Sequence, residues 1–429
     1  MNRAMDTRLT TPVLRTRPEK AAVSRDGCRL DVLVQLETPP LPATAEERRP
    51  VAIALVIDRS GSMAGGKLKA ACAAAQQLVR QLTPVDRVAV ISFDHSARTE
   101  VPLTTPDASV IERIGRIRSG GQTALFDGWC EGLAALQDLP EAAGYQKRVL
   151  LLTDGQANVG PHRCSEVAPW VGQARELAIS TSCIGLGEDY EERLLTAMAE
   201  AGDGNLVHLT SPGQLEAVFA AELEGMNLCL GRELELRLIT DGGSALRRIH
   251  NPLEPDGAGW IRLGTLQAGE TPTLALRLQV EPCPDSAVQL SDLLRVEARW
   301  RDRDGERQHL EAVLRLPLVD DSSWPELPVD EEVRRQVLLQ QAARQRQEAM
   351  ASIDRGDVQA TTASVQLALS SLEQVKGSGE VEQEQQLLGE LLELISSEKL
   401  AIARKVMGTQ AYMRARGRKV RDQEGRSDG

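Results

Sequence analysis

Apolar residues follow three different rhythms along the chain. Between Val51 and about Met226, unbroken apolar runs alternate with stretches whose apolar positions recur every three or four residues. Val51–Ile57 (VAIALVI), Arg87–Phe93 (RVAVISF) and Arg148–Thr153 (RVLLLT) read as strands buried on both faces, as in a parallel sheet. Lys67–Leu82 sets Leu68, Cys72, Ala75, Leu78, Val79 and Leu82 on one helical face, and Pro84 stops it. Ser109–Ile117, Leu125–Leu139, Ser165–Ala178, Tyr190–Ala201 and Gly213–Gly225 read as further helices. Ser180–Gly185 and Asn205–Leu209 read as strands, and Thr99–Leu103 as a polar edge strand. This alternation predicts an α/β, doubly wound, Rossmann-like sheet with helices on both faces.

After Met226 the period becomes two. Glu233–Ile239, Thr273–Val280, Leu294–Arg301 and His309–Leu316 alternate apolar and polar, separated by turn-forming stretches such as Asp302–Gly305. This is the pattern of an antiparallel β-sandwich. Cys28–Glu37 alternates in the same way through Leu30, Val32, Val34 and Leu36. One strand cannot form a domain, so we assign it to the later sheet, which makes the β-sandwich discontinuous around the α/β segment. From Pro328 the rhythm is helical, and Asp330–Ile353, Asp357–Val375 and Glu380–Met407 predict a C-terminal three-helix unit. In the last helix, Leu387, Leu391 and Leu394 with Leu388, Leu392 and Ile395 form an apolar stripe. Core packing is its plain reading; a partner-binding groove is the alternative. The expected organisation is a flexible leader over 1–20, sandwich strands in 21–45, the α/β domain over 46–227, the rest of the sandwich over 228–320, helices over 326–413, and a disordered charged tail over 414–429. The Pro-rich stretch Thr38–Pro50 reads as a linker.

Composition refines this picture. A chain of 429 residues suits two or three domains, and only 3% aromatic residues means cores built from Leu, Val, Ile and Ala. A net charge of −12 argues against nucleic acid as the main partner. The cysteines, seven in number, are scattered without a CxxC pair, as expected of free thiols in a reducing compartment. The first residues hold no apolar signal segment, and no run approaches the ~20 apolar residues of a membrane span. Together these predict a cytoplasmic protein.

The candidate chemistry sits at strand ends, where open α/β sheets bind ligands. The first strand runs into Asp58, Ser60 and Ser62 (DRSGS), GGQTALFDG supplies Thr123, and LLLTDGQAN supplies Asp154. Two carboxylates and three hydroxyls make an all-oxygen donor set suited to Mg²⁺, with Mn²⁺ as a substitute. Gly61–Lys67 (GSMAGGK) also fits the spacing of a phosphate loop. The next residue, however, is Leu68, where such a loop needs Ser or Thr to reach Mg²⁺, and nucleotide binding leaves Asp58, Ser60 and Thr123 unexplained. The histidines are isolated in sequence; His95 and His162 follow strands on the same side and stand to rim the metal face. Asp127 reads as a helix-loop anchor.

DRSGS, GGQT and TDG, in that order, resemble the metal-ion-dependent adhesion site (MIDAS) of the von Willebrand factor type A (VWA) domain, over about residues 50–227. The resemblance implies that the hydroxyls of Ser60, Ser62 and Thr123 coordinate the metal, with Asp58 and Asp154 acting directly or through waters. It also implies binding and no enzymatic turnover: the metal's open position accepts a Glu or Asp from a partner protein. Some cytosolic members of the family work with MoxR-type ATPases, which the resemblance permits. The alternatives are a scaffold with a purely structural metal and, from another class, a metal- or nucleotide-dependent hydrolase.

Overall fold

The computed structural model describes residues 11–40, 49–139, 144–241, 243–283, 290–373, 375 and 379–415. In chain order, β1 (Val13–Pro18), β2 (Val23–Ser24) and β3 (Cys28–Glu37) come first. The α/β segment follows: β4 (Val51–Asp58), α1 (Gly66–Gln81), β5 (Arg87–Phe93), β6 (Ala97–Thr104), α2 (Ala108–Ile114), α3 (Leu125–Gln137) and β7 (Gln146–Thr153). It continues through α4 (Cys164–Glu176), β8 (Ile179–Leu186), α5 (Glu192–Ala201), β9 (Asp203–Leu209) and α6 (Leu215–Asn227). Then come β10 (Cys229–Ile239), β11 (Ser244–Ile249), β12 (Trp260–Gln267), β13 (Thr273–Val280), β14 (Leu290–Asp302) and β15 (Arg307–Val319). Four helices follow: α7 (Glu331–Asp354), α8 (Val358–Leu372), α9 (Gly379–Ser396) and α10 (Leu400–Ala415). The described residues divide into one unit up to Cys229 that holds β4 to α6 and a discontinuous unit made of those before Leu41 and those from Leu230 onward.

The inner unit is an α/β sheet of six strands in the order β6-β5-β4-β7-β8-β9. All neighbours pair in parallel except β6, which lies antiparallel on the edge beside β5. Every residue of β4 is buried, which explains its unbroken apolar run. Ile53, Leu55 and Ile57 join the core beneath α1, α2 and α6. Their neighbours Ala54 and Val56 face α3, where a Cβ on Gly132 would lie 3.6 Å from Ala54 Cβ and 2.6 Å from Val56 Cγ2. One turn earlier, a Cβ on Gly128 would lie 2.6 Å from Phe93 Cδ1. This glycine pair lets α3 sit directly on the central strands. A buried ion pair, Arg148 Nη1 to Glu222 Oε2 at 2.8 Å, ties β7 to α6.

In the discontinuous unit, one sheet has the order β1-β3-β13-β11 and the other β12-β10-β14-β15-β2. The pairs β1–β3, β3–β13, β11–β13, β10–β14 and β14–β15 are antiparallel, and β2 pairs with β15 in parallel. Strands from both sheets feed one apolar cluster that includes Leu30, Val32, Leu236, Leu263, Leu276 and Val296. β3 pairs with β13 along its length, Val32 opposite Leu276. Val333 and Val337 of α7 pack with Leu33 and Ala275, which seats that helix on β3 and β13.

Several expectations need correction. Residues 13–18, expected within a flexible leader, form β1: Leu14 pairs with Leu36 and packs on the apolar cluster, and Arg15 meets Glu37 at 3.0 Å. The expected third C-terminal helix is two helices. After Ser396, Glu398 takes a positive φ of 59°, and the Lys399 N–H closes on Leu394 O at 2.9 Å, which ends α9 before α10 begins. The alternation rule misses β11 and β12. β11 carries adjacent Arg247 and Arg248 at a register shift that breaks the period, and β12 contains Gly264 at φ 92°. Residues 1–10 of the expected leader, 41–48 of the expected linker and 416–429 of the expected charged tail lie outside the described residues.

Candidate metal centre

Asp58 is the last residue of β4 and is wholly buried. Its Oδ1 accepts the Ser60 N–H at 2.7 Å and its Oδ2 accepts the Thr153 hydroxyl at 2.5 Å. The first bond folds the chain back just past the strand, and a 3₁₀ turn over Gly61–Met63 then drives Met63 into the core. The turn sets the Ser60 and Ser62 hydroxyls 3.0 Å apart. The Ser62 hydroxyl donates to Asp154 Oδ1 at 2.5 Å, just beyond the end of β7. Lys67, in the first turn of α1, places Nζ 2.5 Å from Asp154 Oδ2.

Thr123 arrives on the loop that leads into α3. Its N–H donates to Asn158 Oδ1 at 2.9 Å, and the Asn158 N–H donates back to Thr123 O at 3.2 Å. The Ala124 N–H donates to Asp94 O at 2.6 Å, and the Gly120 N–H to Arg59 O at 2.8 Å. Arg59 and Asp94 meet at 2.7 Å, bracing the loop from below. Gly121, at φ 77°, passes so close to Asp94 that a Cβ would lie 3.0 Å from its carboxylate, so only glycine suits this crossing.

These loops converge on Gly155. The point where a Cβ on Gly155 would sit is 3.4 Å from Ser62 Oγ, 3.4 Å from Thr123 Oγ1 and 4.0 Å from Asp58 Oδ2. The structure therefore brings together all five residues singled out from the sequence: three around this point, Asp154 through Ser62, and Ser60 beside Ser62. Among the described residues no group of three or more His, Cys, Asp or Glu side chains could hold a metal, so the donor set here depends on hydroxyls. Burial pushes the Asp58 carboxyl up to about 6; the Ser60 and Thr153 hydrogen bonds oppose that rise and the nearby charge of Asp154 adds to it. A desolvated carboxylate, a second carboxylate and hydroxyls lining a gap of this kind fit a small hard cation, which would relieve the desolvation.

The other candidates make contacts of their own. The exposed His95 rests its Nδ1 3.0 Å from Asp94 Oδ1, and His162 Nδ1 lies 3.0 Å from Gly160 O. Asp127 sits in the first turn of α3. Leu68 packs in the core beneath α1, so the phosphate-loop alternative lacks its hydroxyl in space as well as in sequence. Sequence reasoning missed Thr153, Asn158 and the Arg59–Asp94 brace. Thr153 had a signal, because it immediately precedes Asp154 in the strand-end triplet. The other three act through folding that brings separate loops together.

The family model of the von Willebrand factor type A domain matches residues 52–221. Among curated proteins, an uncharacterized protein of Synechocystis sp. is 29% identical over 188 residues, covering 42% of this chain and 43% of that protein. The chain thus spans less than half the length of that relative. Among solved structures, a von Willebrand factor type A protein from Catenulispora acidiphila aligns with a TM-score of 0.67 at 19% identity, over 93% of this chain and 97% of that one. The ArnB paralog VWA2 from Sulfolobus acidocaldarius aligns with a TM-score of 0.59 at 17% identity, over 93% and 99%. At these identities the likeness is one of fold. Residues 52–221 of this chain are a von Willebrand factor type A domain, and all five candidate metal-site residues lie on it.

Proposed function

We propose that Asp58, Ser60, Ser62, Thr123 and Asp154 hold a divalent cation, Mg²⁺ with Mn²⁺ able to substitute, and that the chain binds partner proteins through it. The reading is carried by the convergence of Ser62, Thr123 and Asp58 oxygens on the bare backbone of Gly155. When bound, the cation supplies an open coordination position for a Glu or Asp carboxylate. The chain's own residues do the rest: Thr153 and the Ser60 N–H orient Asp58, Asn158 and Asp94 fix the Thr123 loop, and Asp154 orients the Ser62 hydroxyl. Binding is favoured over turnover because the site's hydroxyls donate to carboxylates, while His95 and His162 engage Asp94 and Gly160. The seven free thiols support a reducing compartment, the cytoplasm. A MoxR-type ATPase assembly is one source of a partner that the family permits.

Calorimetry tests the metal. Mg²⁺ and Mn²⁺ should bind the wild type, and Asp58→Ala or Thr123→Ala should weaken binding at least about tenfold, the scale of a lost metal contact. Unchanged affinity in both variants sinks the assignment. A pull-down with and without EDTA then tests the role: partners that survive chelation and the Asp58→Ala change do not bind through the metal.

A further inference from the structure

Lys67 is the one feature of the sequence motifs that the metal centre does not use. It stands where a phosphate loop would put its lysine, yet it faces a carboxylate. Its Nζ lies 2.5 Å from Asp154 Oδ2, while Ser62 occupies Oδ1 at the same distance. Both oxygens of a wholly buried carboxylate are therefore engaged by the chain's own side chains. The lysine side chain is 35% exposed, so part of it borders water. Bare backbone also lies beside it: a Cβ on Gly187, which has φ 81°, would lie 3.8 Å from Nζ. An ammonium and a divalent ion are drawn to the same carboxylate and repel one another, and the flexible four-carbon stem of lysine lets its head move where an arginine fork is less free to do so.

We propose that Lys67 is a tethered cation: it holds Asp154 when no metal is present and competes with the divalent ion for that carboxylate. The inference rests on the metal reading above and names the residue that sets the metal's affinity. Metal binding releases Asp154 Oδ2 from the ammonium, which swings toward water. The freed positive charge then stands on the rim of the site, where a partner's carboxylate arrives. Metal loading thus prepares the surface for an acidic partner in two ways, through the open coordination position and through Lys67.

The test uses the full chain and Mn²⁺. Lys67→Met should bind Mn²⁺ at least about tenfold more tightly than wild type and, in EDTA, should unfold at a lower temperature because Asp154 loses its counter-ion. A Mn²⁺ affinity that is unchanged or weaker overturns the proposal. A second measurement needs no variant. Acetylation of Lys67 in the wild type, followed by peptide mass spectrometry, should run faster with Mn²⁺ than with EDTA. A rate that is unchanged or slower with Mn²⁺ also overturns the proposal. If wild type and Lys67→Met both fail to bind Mn²⁺, the metal centre itself falls and this inference with it. Wild-type binding with no gain in Lys67→Met defeats the inference alone.

Discussion

At the scale of single residues, Gly155 separates the candidate site's function from its folding. A methyl group there would meet Ser62 Oγ and Thr123 Oγ1 at 3.4 Å, ordinary contact distance, so the fold has room for it. It would also fill the space on which the donor oxygens converge. Gly155→Ala should therefore keep its unfolding free energy in EDTA within about 1 kcal/mol of wild type while losing at least about tenfold in Mn²⁺ affinity. Retained affinity would place the cation elsewhere. The five oxygen-bearing residues were legible in the sequence because four lie at or just past a strand end and Thr123 follows a Gly-Gly pair at a helix start, each in a short motif whose spacing is local. Lys67 was visible too, but its partner was not. The bond to Asp154 joins residues 87 positions apart, and only the sheet order reveals it.

At the scale of elements, α3 positions the Thr123 loop, and it does so through two glycines. Gly128 and Gly132 face Phe93 and Val56 with no space for a Cβ, each at 2.6 Å from the nearest atom. Gly132→Ala should force the helix off β4 and cost about 1–3 kcal/mol, the usual penalty of overpacking, read as a lower urea midpoint. Because α3 begins two residues after Thr123, the same variant should also weaken Mn²⁺ binding. Loss of stability with full metal affinity would show that the loop is held by Asn158 and Asp94 alone. The strands of this unit were readable because burial on both faces leaves an unbroken apolar run. β11 and β12 escaped because a register shift and a glycine interrupt their alternation. β1 escaped because it is short and two of its six residues, Arg15 and Arg17, are charged and exposed, and its pairing with β3 is a tertiary fact.

At the scale of the whole molecule, the discontinuous unit is fastened by contacts between distant parts of the chain. Asp31 on β3 receives Arg277 of β13 through two hydrogen bonds, at 2.8 and 2.7 Å, and His250 at 3.4 Å. Burial alone would raise the Asp31 carboxyl, but the hydrogen bonds from His250 and Arg277 outweigh it and hold the carboxyl below its ordinary 3.8. A carboxyl held low in the folded state adds stability above its unfolded value, and that stability is lost as the pH falls toward the folded one. Wild type should lose urea resistance between pH 5 and about pH 3 more steeply than Asp31→Asn, which has no charge to lose there. Parallel profiles would mean that Asp31 is no more stabilised in the folded chain than in the unfolded one.

The interruption of this unit also has a consequence for how the protein is made. β3 cannot meet β13 until some 240 further residues have been synthesised, a delay on the order of 10–50 s at ordinary rates. For that time a strand that is mostly buried in the finished fold has no partner on one side, a hazard for any nascent chain. β1 reduces it: a hairpin of β1 and β3 needs only residues 13–37 and covers one edge of β3 as soon as they emerge. During the remaining wait the VWA domain can finish folding, so the second edge becomes available to β13 once the domain that separates them is already complete.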